Sequence, residues 1–185
     1  MVSSHWRRAG GVTLVELVVV LAVLMVLAAG ALHYSPPIFA TARLAGASNG
    51  FRAHLALVRS EAVKRNAPVT LCKSRDGEHC ETAGGWEQGW IAFHDPDSNG
   101  LRAAGEPVIL RASALPAGLR LSGNGSMARY VSFDGTGTTQ ASNGAFLAGT
   151  LTLCQASALP VEGRKIVINA AGRARVQKVL LPHCG

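Results

Sequence analysis

Three groups of residues in this 185-residue chain have the types and spacing that chemistry would need. The first is Asp95-Pro96-Asp97-Ser98-Asn99-Gly100, followed after five residues by Glu106. It satisfies the formula of a calcium loop, with oxygen ligands at Asp95, Asp97, Asn99 and Glu106 wrapped around a glycine turn. Its flanks do not fit, because the residues on either side read as strands where a calcium loop of this kind sits between helices. The expectation is therefore a polar turn whose Asp and Asn side chains bond their own backbone, with no metal.

The second group is the four cysteines, which allow three pairings. Cys72 and Cys80 bracket the turn signal Asp76-Gly77, so a local bridge is geometrically easy, and that leaves Cys154 with Cys184. Zinc is the rival reading, since His79 and His183 each precede a cysteine, but there is no Cys-x-x-Cys pair to build a zinc site on. The third group is basic. Residues 163–185 carry Arg164, Lys165, Arg173, Arg175 and Lys178 and no acid, in a chain of net charge +7 and pI near 9.8. Ala170-Ala171-Gly172 reads as a hairpin turn, which puts Arg173 and Arg175 on one face and brings Lys165 to it from the partner strand. Such a face suits a polyanion; the plain alternative is a charged edge strand that deters aggregation. Catalytic patterns are missing: no Gly-x-Ser-x-Gly, no His-Glu-x-x-His and no Walker loop. Gly123-x-Gly125-x-x-Ala128 leads into a strand pattern rather than a helix, so it is no dinucleotide fingerprint. The sequence reads as a non-enzyme without a cofactor.

The elements that must position these groups begin with a long apolar run. From 12 to 32 only Thr13 and Glu16 interrupt it, and at ~1.5 Å per residue it spans a bilayer core. Arg7 and Arg8 precede it with no acid, which keeps that end cytoplasmic and delivers the rest outside. A cleaved signal peptide ending at Ala29-Gly30-Ala31 is the alternative, but a carboxylate inside an apolar run is costly and argues for a purpose at Glu16. The expected organisation is a leader at 1–11, a transmembrane helix at 12–35, an extracytoplasmic helical half at 36–67 and a head at 68–185. Pro36-Pro37 should interrupt the helix. Leu44, Phe51, Leu55, Val58 and Ala62 mark its core face, Arg52, Arg59, Glu61 and Lys64 a solvated one, and Asn66-Ala67-Pro68 its end.

The head shows short strand-like runs at 69–72, 90–94, 108–112, 119–122, 130–133, 150–154, 164–169 and 173–180, with loops at 122–126 and 134–144. No long helical pattern recurs in it. The fold class is α+β, a long N-terminal helix followed by an antiparallel β head. A composition of 48% hydrophobic residues excludes a disordered chain.

Gly11-Val12-Thr13-Leu14-Val15-Glu16-Leu17 resembles the prepilin cleavage motif of type IV pilins and type II secretion pseudopilins. The resemblance implies that a prepilin peptidase cuts between Gly11 and Val12 on the cytoplasmic side. It also implies that Glu16 serves filament assembly, its carboxylate neutralising the new amine of a neighbouring subunit. The family usually places an N-methylated phenylalanine after the cut, where this chain has Val12. Loss of 1–11 leaves 16 basic against 11 acidic side chains, so the net +5 of the mature chain equals the charge of residues 163–185.

The run from Leu55 to Asn66 with Pro68-Val69-Thr70-Leu71-Cys72, then Gly89-Trp90-Ile91-Ala92-Phe93 and Phe133-Asp134-Gly135, resembles the minor-pilin and pseudopilin-H group. The paired cysteines and basic tail look most like its FimT branch. Gly172-Arg173-Ala174-Arg175 matches the glycine-arginine-x-arginine motif of FimT-like DNA receptors, which with Lys165 and Lys178 implies double-stranded DNA as a partner. Other pilins, the assembly platform, the peptidase and the inner membrane are the further partners implied. A type II secretion pseudopilin H, without a nucleic-acid role, is the alternative.

Overall fold

The computed structural model describes residues 13–33 and 35–185, and its contacts divide the chain into two units, 1–39 and 40–185. Gly11, Val12 and the rest of the expected leader lie outside the described residues. The first unit holds α1 (Leu14–His33) and the start of α2 (Ser35–Arg65). Thr13 caps α1: its Oγ1 accepts the Glu16 backbone N–H at 3.3 Å, one limb of the Thr-x-x-Glu capping box. Leu14, Val15 and the apolar side chains through Leu27 are exposed. No helix among the described residues is long and apolar enough to cross a membrane; the expected span at 12–35 includes Val12 and Tyr34, which lie outside them. Pro36 and Pro37 fall in the first turn of α2, where a missing N–H costs no helical bond.

The second unit sets the rest of α2 with two four-stranded antiparallel sheets. The strands are β1 (Val69–Lys73), β2 (Trp90–His94), β3 (Val108–Ala112), β4 (Leu119–Gly123), β5 (Tyr130–Phe133), β6 (Gly149–Gln155), β7 (Val161–Ile168) and β8 (Ala174–Leu181). One sheet runs β3-β2-β1-β5 and the other β4-β6-β7-β8, so β8 is an edge strand. All eight expected strands are present, with ends shifted by up to three residues at β7. The expected loop at 122–126 is shorter than read, because β4 runs to Gly123 and Gly125–Ala128 winds into a 3-10 turn.

The core face of α2 is as its spacing requires: Leu44, Phe51, Leu55, Val58 and Ala62 are all buried. Phe51 meets Trp86 and Trp90 edge-on, with ring centroids 5.5 and 4.9 Å away, a geometry that favours the ring quadrupoles. Trp86 is fully buried and its Nε1–H donates to the Met127 carbonyl at 2.8 Å, which removes the cost of burying that donor. Asn66 ends the helix in the left-handed region, φ 48°, as asparagine tolerates there. One expectation fails. Arg59 is not on a solvated face: it is half-buried, and its Nε donates to the Gly137 carbonyl at 2.8 Å, tying α2 to the loop after β5.

Candidate functional site

The basic group is carried by the β7–β8 hairpin. Pairing of Val167 with Arg175 and Lys165 with Gln177 puts Lys165 and Arg175 on the same face of the sheet, because paired residues in an antiparallel ladder share a side. The other face takes Ile166, Ile168, Ala174 and Val176 into or against the core. Arg173 precedes β8 with the parity of Arg175, and both are exposed. The turn between the strands closes through the Gly172 N–H on the Asn169 carbonyl at 2.9 Å, while Asn169 Oδ1 accepts the Arg173 N–H at 2.9 Å. Gly172 is required here. Its φ is +73°, and an added Cβ would lie 2.2 Å from the Gly137 carbonyl oxygen.

Two of the five basic residues separate from this face. Lys178 pairs with Arg164 in the register, so strand alternation turns it to the opposite side from Arg175. Arg164 is buried, and its Nη1 donates to Glu162 Oε1 at 2.6 Å. Glu162, one residue before the acid-free stretch, thus neutralises one of its charges inside the fold. By contrast, among the described residues Arg173 and Arg175 make no ion pair.

The Asp95 loop joins β2 to β3, and the carboxylate oxygens of Asp95, Asp97 and Glu106 come within 4.8 Å of one another. Asp95 is buried. Its Oδ2 accepts the Thr70 hydroxyl at 2.6 Å and the Gly100 N–H at 3.0 Å, and its Oδ1 accepts the Asn99 N–H at 3.2 Å. Burial raises the Asp95 carboxyl above its ordinary range, against the pull of those hydrogen bonds, and the neighbouring Asp97 and Glu106 add to the rise. Glu106 Oε2 accepts the Ala103 N–H at 2.8 Å. The Asn99 amide bonds within the loop, Nδ2 donating to Asp97 Oδ2 at 2.7 Å and Oδ1 accepting the Leu101 N–H at 2.6 Å. These bonds are those of a self-capped polar turn, and the flanking elements are strands.

Both disulfides form in the pairing expected. Cys72–Cys80 has Cα atoms 5.5 Å apart and closes a loop turned by Asp76, which accepts the Glu78 and His79 N–H groups at 2.8 and 2.9 Å. Cys154–Cys184, Cα atoms 6.1 Å apart, staples the C-terminus to β6, and mutual backbone bonds between Ser157 and Cys184 hold it there. Two further contacts are not legible in the sequence. The Trp90 indole donates to His54 Nδ1 at 3.2 Å, and the buried Lys73 Nζ donates to the Thr82 and Gly84 carbonyls at 3.0 and 2.7 Å. Both partners lie in segments far from the donor in sequence or in irregular loops, where no periodicity signals them.

Residues 47–172 match the family of the type II transport protein GspH, and residues 6–32 match the prokaryotic N-terminal methylation motif. No curated protein sequence matches the chain. Among solved structures, the type IV minor pilin FimU of Pseudomonas aeruginosa superimposes in two crystal forms. The TM-scores are 0.55 and 0.54, at 21% and 20% identity, over 77% of this chain and 95% and 100% of FimU. The minor pseudopilin EpsH from the type 2 secretion system of Vibrio cholerae is similar at a TM-score of 0.49 and 15% identity, over 73% of this chain and 96% of EpsH.

Proposed function

Because the chain belongs to the family of the type II transport protein GspH, we propose that it is a minor pilin of a type IV pilus that captures DNA through its β7–β8 hairpin. The methylation-motif match over 6–32 supports the filament part. In this reading prepilin peptidase cuts between Gly11 and Val12, residues 12–35 anchor the subunit in the inner membrane, and the head stands in the periplasm, where disulfides persist. Glu16 then serves filament entry by pairing with the amine of a neighbouring Val12, and Glu16→Ala permits cleavage but impairs assembly.

One observation carries the DNA part: Arg173 and Arg175 stand exposed and without ion pairs on the face that Lys165 joins, immediately after the Gly172 turn. Guanidinium groups so placed meet phosphates without first breaking an internal salt bridge. Lys178, on the other side of β8, contributes at most at longer range. Binding is sequence-independent, and each phosphate contact adds about 0.9 to the log–log salt slope. In the detergent-solubilised full chain, Arg173→Ala with Arg175→Ala should weaken duplex DNA binding uniformly across sequences and flatten the slope by about two. An unchanged affinity in that variant would remove the hairpin from the site. The neutralised Arg164 favours the second reading, a type II secretion pseudopilin H, which requires no DNA affinity at all.

A further inference from the structure

A groove of about 820 Å³ runs between α2 and the start of β8, within the ~300–1,000 Å³ range of ligand clefts. On a helix of 3.6 residues per turn, Arg52, Ala56, Arg59 and Val63 form one stripe beside the core face, and that stripe is one wall. Gly172, Arg173, Ala174 and Arg175 form the other. No acidic residue lines the groove; Glu61, on the far side of α2, reaches only Lys64 at its rim, pairing with Nζ at 3.5 Å. Elsewhere on the head several cations meet a carboxylate: Arg102 and Arg111 share Glu78, Arg120 meets Glu87 and Arg164 meets Glu162. Among the described residues Arg52, Arg173 and Arg175 have none, and Arg59 uses Nε on the Gly137 carbonyl, leaving its terminal nitrogens without a partner. Small residues, Ala56 across from Gly172 and Ala174, keep the floor open.

We infer that this groove seats the sugar–phosphate backbone of one nucleic-acid strand, with Arg52 and Arg59 of α2 contacting phosphates from one wall and Arg173 and Arg175 from the other. The inference rests on the proposed DNA role and extends it to the stem helix. Cations on both walls let one run of phosphates meet charge-assisted donors from two sides. Because Arg59 and Gly172 both contact Gly137, the loop at 134–138 fixes the spacing of the two walls.

The test uses the full chain in detergent and a short fluorescent oligonucleotide, followed by anisotropy across a salt series. Ala56 and Arg52 are exposed, so Ala56→Phe, which fills the groove, and Arg52→Ala should leave the fold intact. Arg52→Ala should weaken binding several-fold and flatten the salt slope by about one, and Ala56→Phe should weaken it at least as much. If Arg173→Ala with Arg175→Ala weakens binding while Arg52→Ala and Ala56→Phe bind as the parent does, the groove inference is overturned and the hairpin reading stands. If Ala56→Phe blocks filament assembly with DNA affinity unchanged, the groove belongs to a neighbouring subunit. If the parent chain binds no DNA at low salt, the DNA reading and the groove fall together.

Discussion

At the scale of single residues, long-range polar contacts decide what this head tolerates. His54 sits half-buried on α2, accepting the Trp90 indole N–H, and burial holds its pKa below the ordinary value. The folded state therefore keeps His54 neutral, while the unfolded chain takes up a proton at about pH 6.5. Stability is present above that pH and declines as the pH falls from there toward the lower folded value. His54→Gln, which keeps an acceptor and cannot titrate, should flatten the loss between about pH 7 and pH 5, read as the denaturant midpoint at each pH. An equal loss in both proteins would mean that other groups drive it. Neither this contact nor the Arg59–Gly137 bond is legible in sequence, since 36 and 78 residues separate their partners. The Arg164–Glu162 pair is close in sequence, but Glu162 lies just outside the acid-free stretch 163–185.

At the scale of elements, local patterning carries far. The spacing of Leu44, Phe51, Leu55, Val58 and Ala62 marks the buried stripe of α2, and β2 and β3 begin directly after Gly89 and Pro107. What patterning leaves out is the partition into two sheets, because an alternating strand does not say which neighbour it pairs with. That Lys178 and Arg175 face opposite ways, by contrast, follows from alternation alone, since they stand an odd number of positions apart on one strand. The Thr13 cap, whose Oγ1 accepts the Glu16 backbone N–H, is local enough to be visible in the sequence, and it does not engage the Glu16 carboxylate. The disulfides supply an element-scale prediction. In the loop-entropy account, closing the separation of 30 between Cys154 and Cys184 contributes about 3.6 kcal/mol, against about 2.5 kcal/mol for the separation of 8 between Cys72 and Cys80. Replacing the first pair by serine should therefore lower stability by about 1 kcal/mol more than replacing the second, measured by denaturant unfolding. The reverse order would mean that the Cys72–Cys80 loop, which also carries the Lys73 contacts, matters more to the native state than chain entropy allows.

At the scale of the whole molecule, the chain carries an apolar α1 and a two-sheet head on which Arg52, Arg59, Arg173 and Arg175 line one groove between α2 and the start of β8. The α+β class and the family are legible from the N-terminal motif together with the strand texture. The groove is not, since it exists only when Arg52 and Arg175 are brought together across the fold. The central claim is that this is a prepilin-processed filament subunit. Intact-mass measurement of the chain extracted from membranes tests it most directly. The expected result is a protein that begins at Val12 and retains its apolar helix, with the leader left attached in Gly11→Ala. A soluble chain beginning near Leu32 would contradict it and mark the apolar run as a cleaved signal peptide.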